Sequence, residues 1–232
     1  MIETFPTTAA AAQAAARAIV EQLSEGLKTR GRASLAATGG RSPGPVFDQL
    51  ATAQIDWARV AVTLSDERCV GEDDPASNAR AVRERLLTGE GAKARFLPLW
   101  PEPEPAALRA LLPFDAVMLG MGEDGHVASL IPGDPGLAAA MDPASPALTV
   151  SVPAGLGKPP LPRISLTFSA LLQARAVFLL VAGEAKREII ARAQSGGDGA
   201  GGDGAGADLP VAALIAQTRV PVRVLWSPAH EV

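Results

Sequence analysis

The sequence is short of several things, and each shortage closes off a class of protein. It has a single cysteine, Cys69, so no disulfide can form within the chain; this fits a reducing compartment, and a cytoplasmic location is expected. Its only histidines are His126 and His230, and no cluster with metal-ligand spacing is visible. No apolar run reaches the roughly 18 residues that mark a spanning helix, so no membrane association is expected. The opening MIETFPTTAA lacks the basic-then-apolar layout of a secretory leader. A basic excess is missing too. The net charge of -4 gives no footprint for nucleic acid, and it leaves any anionic substrate to be captured by local donors.

What is present reads as one α/β domain over residues 1–232. Hydrophobic residues make up 47% and charged residues 20%, enough to bury a core without staples. Thr7 or Thr8 is placed to cap an alanine-rich helix through Leu27. Strands are predicted at Ala33–Ala37, Val60–Leu64, Ala116–Leu119, Leu148–Val152, Arg163–Thr167, Ala176–Val181 and Val222–Leu225. Between them lie helical stretches at Val46–Ala53, Ala79–Leu87, Ala106–Leu112, Phe168–Gln173, Glu184–Ala193 and Pro210–Gln217. Pro98–Pro105 reads as an exposed connection. The alternation predicts a Rossmann-like, largely parallel sheet covered by helices on both faces. Ser195–Asp208, SGGDGAGGDGAGAD, offers almost no side chains and is expected to be a flexible loop without chemistry.

The chain is organised around FDAVMLGMGEDGHVASLIPG, residues 114–133. A short apolar strand breaks into Gly120-Met121-Gly122, which lets the backbone turn sharply and approach a ligand. His126 then falls beyond the carboxyl end of that strand, where open α/β sheets bind ligands. A plain hydrogen-bonded loop histidine is the alternative; the glycines, Asp124 and Gly125 favour a functional one. Upstream, Gly39-Gly40-Arg41-Ser42-Pro43 joins a strand to a helix start, an arrangement suited to phosphate as well as to an ordinary capped turn. Asp66-Glu67-Arg68 ends a strand with three charges, either as a solvated turn or as part of a site. Ser77-Asn78 caps the following helix.

Taken together with Arg163-Ile164-Ser165-Leu166-Thr167, Gly183 and Lys186, these stretches resemble the 6-phosphogluconolactonase family of sugar-phosphate-isomerase-like type. The likeness covers nearly the whole chain. Its most specific part is Gly120-Met121-Gly122-Glu123-Asp124-Gly125-His126-Val127-Ala128-Ser129-Leu130-Ile131-Pro132-Gly133. It implies hydrolysis of 6-phospho-D-glucono-1,5-lactone without a cofactor, with a phosphorylated sugar lactone as partner; the sequence does not give the oligomeric state, and a monomer is the favoured expectation. The related glucosamine-6-phosphate deaminases share the Asp-Gly-His core. They carry Tyr after Asp-Glu, where this chain has Arg68, and a further His-rich segment that is missing here. From the common lactonase pattern the chain departs at Arg41, at the Gly-rich stretch and at Trp226-Ser227-Pro228. A sugar-phosphate-sensing module of the same fold is the non-enzymatic alternative, but no basic helix-turn-helix accompanies it.

The chemistry can be placed on these residues. Imidazole can take and return a proton at neutral pH, so His126 is the general base. Asp124 orients the imidazole or holds the loop. Arg68 would stabilise charge on the carbonyl oxygen, and Asp66 or Glu67 is the next candidate base. Gly39, Gly40, Ser42, Arg163 and Lys186 would hold the 6-phosphate, unless Arg163 and Lys186 form a surface ion pair. Cys69 is read as packing rather than as a nucleophile.

Overall fold

The computed structural model of the chain describes residues 2–40, 43–194 and 209–228. The predicted loop at 195–208, together with Arg41, Ser42 and His230, lies outside the described residues. The first strand, β1 (Ile2–Thr4), leads to α1 (Thr8–Arg30) and β2 (Ala33–Ala37). Thr7 is the cap: its hydroxyl accepts from Ala10 N–H at 3.1 Å, an interaction worth about 1 kcal/mol. Gly31 ends the helix with φ 71° and returns its N–H to Leu27, a left-handed stop that glycine adopts without strain. Along α1 the buried face is Ala11, Ala12, Ala15, Ala16, Ile19 and Leu23. Such small side chains let the helix lie close against the sheet.

The chain continues through α2 (Gly44–Leu50), β3 (Val60–Leu64), β4 (Asp66–Arg68), α3 (Asn78–Arg85), β5 (Arg95–Phe96), α4 (Pro105–Arg109) and β6 (Ala116–Gly120). Then come α5 (Leu137–Ala140), β7 (Thr149–Val152), β8 (Arg163–Leu166), α6 (Phe168–Leu171), β9 (Val177–Ala182), α7 (Glu184–Gln194), α8 (Pro210–Ala216) and β10 (Val222–Ser227). Seven strands form one sheet in the order β1-β10-β9-β6-β2-β3-β5, every pair parallel. Parallel strands carry apolar side chains on both faces because helices cover both; Leu35, Val62, Val117, Leu119, Val177 and Leu179 are all buried. Helices α1 and α2 pack against each other, as do α7 and α8; with the right-handed crossovers general to parallel sheets, this strand order sends the two pairs to opposite faces. Among the described residues no helix is long and apolar enough to cross a membrane.

One alternative falls and one expectation needs correcting. Of the two readings of Asp66-Glu67-Arg68 the solvated turn is excluded: the stretch is β4, in a separate three-stranded antiparallel sheet ordered β4-β8-β7, with Asp66 and Glu67 buried. Charged residues hide the strand from any apolar pattern, and pairing with β8 creates it. The Pro98–Pro105 connection is exposed only in part, since Leu99 is fully buried in the core.

Candidate active site

After β2 the chain moves to β3 on one side of the sheet; after β6 it moves to β9 on the other. Neighbouring β2 and β6 therefore flank a topological switch point, and parallel sheets bind ligands beyond the carboxyl ends of such strands. A cleft of about 880 Å³ opens there. Its walls are Thr38, Gly39 and Gly40 after β2, the Gly120–His126 loop after β6, Lys186 from α7, and Asp66, Arg68 and Arg163 from the small sheet. The structure thus brings together every predicted site residue that it describes. Ser42 lies outside the described residues.

The loop after β6 is built to present one imidazole. Gly122 N–H donates to His126 O at 3.0 Å, and Gly125 N–H to Gly122 O at 3.2 Å, closing a turn in which Gly125 has φ 77°. Asp124 Oδ1 accepts from His126 Nδ1 at 2.6 Å and from the His126 N–H at 3.3 Å, so one carboxylate both orients the ring and holds the loop. Burial alone would raise the Asp124 carboxyl, but the bond and the charge of His126 outweigh it and hold it below the usual aspartate range. In the neutral ring with Nδ1 donating to this carboxylate, Nε2 carries the lone pair. Gly122 is required by this packing. A Cβ there would lie 2.3 Å from both Cε1 and Nδ1 of His126, inside any allowed contact. Two helices brace the loop from behind: Lys186 Nζ donates to Met121 O at 2.6 Å, and Val211 N–H of α8 to Gly125 O at 3.1 Å.

The small sheet supplies positive charge. Its register pairs Arg68 directly with Arg163, and like charges set opposite one another on adjacent strands are destabilising by themselves. Arg163 is 2% exposed, so it is no surface ion-pair residue. Its guanidinium donates to Pro159 O at 2.8 Å and to Ser129 Oγ at 3.4 Å. Burial first, then the charge of Arg68, makes this guanidinium easier to deprotonate than an ordinary arginine. Arg68 donates to Ala76 O at 2.6 Å. Among the described residues the Nε of each arginine is buried without a partner, which is costly, while both arginines line the cleft.

Ser129, Ser165, Asn78 and Gly157 support the site through contacts that were not read from the sequence. The hydroxyl of buried Ser129 donates to Asp66 Oδ2 at 2.7 Å, while its N–H reaches Ser165 Oγ at 3.1 Å. Asn78 follows the cap residue Ser77, but its side chain donates instead to Asp66 O at 2.8 Å. It also fills the space a Cβ on Gly39 would need, 1.7 Å from its Oδ1. Gly157 leaves room for Arg163, whose Nη2 would lie 2.7 Å from a Cβ there. Glu67 faces the other way. It accepts from the N–H groups of Arg68, Asn78 and Ala79 and from Ser77 Oγ at 2.6–3.1 Å, so it tethers the start of α3 and is not available as a base. Among the described residues, no group of three or more His, Cys, Asp or Glu is placed to hold a metal ion.

A family model described as glucosamine-6-phosphate isomerases/6-phosphogluconolactonase matches residues 6–226. The chain belongs to this family. A family member from Caulobacter vibrioides, named 6-phosphogluconolactonase, is 40% identical with 97% of each chain covered. Another of that name, from Rhizobium meliloti, is 36% identical at the same coverage. Among solved structures, a 6-phosphogluconolactonase from Shewanella baltica superposes with a TM-score of 0.85 at 37% identity, covering 98% of this chain and 97% of that one. A monomeric glucosamine-6-phosphate deaminase of the wider superfamily gives 0.71 at 19% identity, a likeness of fold alone.

Proposed function

We propose that the chain hydrolyses 6-phospho-D-glucono-1,5-lactone to 6-phospho-D-gluconate, the second step of the oxidative pentose phosphate pathway. The observation that carries this reading is the 2.6 Å bond from His126 Nδ1 to Asp124. It leaves Nε2 as a proton acceptor in a cleft that also holds two arginines with unpartnered Nε atoms. The names of the relatives at 36–40% identity support it. A sensing module would need the arginines but not the oriented imidazole.

The lactone is an activated ester. His126 Nε2 takes a proton from water as the water oxygen bonds to the lactone carbonyl carbon. Negative charge gathers on the carbonyl oxygen, where Arg68 is assigned to stabilise it. The tetrahedral species collapses by breaking the bond from that carbon to the ring oxygen, and the imidazolium returns its proton to the departing oxygen. Arg163 and Lys186, with Gly39, Gly40 and Ser42, are assigned to the 6-phosphate. Asp66, engaged by Ser65 Oγ at 3.0 Å and Ser129 Oγ at 2.7 Å, positions the small sheet's contribution. All these groups belong to one chain, so a monomer suffices, and the cytoplasm is its expected location.

The test is a lactone hydrolysis assay corrected for spontaneous hydrolysis, run beside an assay for ammonia release from glucosamine 6-phosphate. Wild type is expected to hydrolyse lactone and release no ammonia. His126→Ala is expected to fold and bind but to lose about 10²–10⁴-fold in kcat. Unchanged kcat in that variant would move the base elsewhere, with Asp66 next to be examined. Sugar-phosphate binding with neither activity would turn the reading to a sensor.

A further inference from the structure

The amino ends of the parallel strands, at the far edge of the sheet from the catalytic cleft, carry a second pocket of about 230 Å³. Four arginines line it: Arg30 and Arg32 flanking the α1–β2 turn, Arg59 just before β3, and Arg95 at the start of β5. The register explains their gathering. Ala33 pairs with Val60 and Ala61 with Arg95, so Arg32 and Arg59 immediately precede neighbouring strands about 5 Å apart, with Arg95 one strand further on and two residues further along. Arg59 Nη1 lies 4.0 Å from where a Cβ on Gly31 would stand, which brings it to the turn between Arg30 and Arg32.

The carboxylates present do not balance this charge. Buried Asp115 takes Arg30 and the Ser34 N–H, and Asp56 takes Arg59 at 2.6 Å. Arg32 reaches only the Ala110 carbonyl, at 3.3 Å. Among the described residues neither Arg32 nor Arg95 has a carboxylate partner. In a chain of net charge -4, this is a local excess that the fold creates and leaves uncompensated. Arg32, Arg59 and Arg95 are exposed, so an incoming anion can reach them.

We propose that this pocket is a second anion site, taking a phosphate dianion either as free inorganic phosphate or as a phosphate monoester. Guanidinium forks match tetrahedral oxyanions in pairs of hydrogen bonds. The volume admits a small molecule and not a polymer, and Ala58, Val60, Leu112 and Pro113 offer apolar wall for the body of an ester. Because the pocket opens at the opposite edge of the sheet, its occupant does not compete with a ligand in the cleft.

The test is chemical-shift mapping on the ¹⁵N-labelled full chain, titrated with sodium phosphate and separately with AMP as a monoester, against sodium chloride at matched ionic strength. Saturable shifts are expected at the amides of Arg32, Ala33, Arg59 and Arg95, distinct from any at Gly39 and Gly122. Arg32→Gln with Arg95→Gln should weaken that binding at least about tenfold, the effect of losing one hydrogen bond to a charged group, while lactone hydrolysis stays at the wild-type level. Arg95→Gln alone, at an exposed edge position, gives the same readout should the double variant fold poorly. Tighter binding of AMP identifies a monoester as occupant; equal binding identifies free phosphate. Shifts that follow chloride equally, shifts confined to the cleft, or unchanged affinity in the variants overturn the proposal.

Discussion

Arg68 and Arg163 stand directly opposite one another in the β4–β8 ladder, and among the described residues the Nε of each is buried without a partner. Under the proposed function Arg68 stabilises the carbonyl oxygen and Arg163 holds the phosphate. Arg163→Lys keeps the charge but loses the planar fork, so KM for the phosphorylated lactone is expected to rise about 10- to 100-fold, with a smaller change in kcat. Steady-state kinetics decide this, and an unchanged KM would remove Arg163 from the phosphate site.

Gly122 gives a steric test of how tightly the imidazole is placed. A Cβ at this position meets the ring at 2.3 Å, so Gly122→Ala must displace His126. Misplacing a reacting group by about 1 Å costs on the order of 10²-fold. The expected variant has wild-type circular dichroism and thermal stability within about 1 kcal/mol, but kcat lowered by that factor. A fully active Gly122→Ala enzyme would mean that the ring sits elsewhere during turnover.

Asp124→Asn probes the tautomer. The amide no longer demands a proton on Nδ1, and kcat should fall between about 10- and 10⁴-fold with KM little changed. The wild-type carboxyl lies below its ordinary value of 3.8. Its contribution to holding the loop is therefore complete above that value and is lost as pH falls through the lower folded one. Acid titration followed by NMR should show the His126–Asp124 contact intact at pH 5 and above. Loss of the contact near neutral pH would contradict this.

Glu67 has the opposite sign. Burial raises its carboxyl above the ordinary 4.5, against the opposing hydrogen bonds from Asn78, Ala79, Arg68 and Ser77. The folded state holds that proton more tightly than the unfolded chain. The stability this confers is present below 4.5 and is lost as pH rises through the folded value. In Glu67→Gln that decline should vanish, so the wild-type-minus-variant difference in unfolding free energy will change with pH across this window. Denaturant titrations at several pH values measure it; parallel curves would refute the assignment.

The parallel core was readable because each of its main strands is a run of apolar residues bounded by turn signals, as in Val60–Leu64 and Val177–Ala182. The strands that were missed are short and carry little or no apolar pattern: β1 has three residues, β5 has two, and β4 is entirely charged; all three exist through their neighbours. The same division holds in the site. His126 and Asp124 are two residues apart, and their partnership was among the local options. Ser129 reaches Asp66 across 63 positions of sequence, and Arg68 meets Arg163 only when two distant strands pair. No periodicity or motif spacing encodes those meetings.

That contrast in sequence separation bears on how activity is acquired. The proton-transfer pair is closed by a turn of a few residues, whereas the anion pair needs β4 and β8 to find one another after long loops have closed, the slower kind of event. A refolding chain should own its base before it owns a place to hold the substrate. Recovery of turnover is then a clock for the last strand pairing, and it is expected to lag the return of helical signal when both are followed from denaturant.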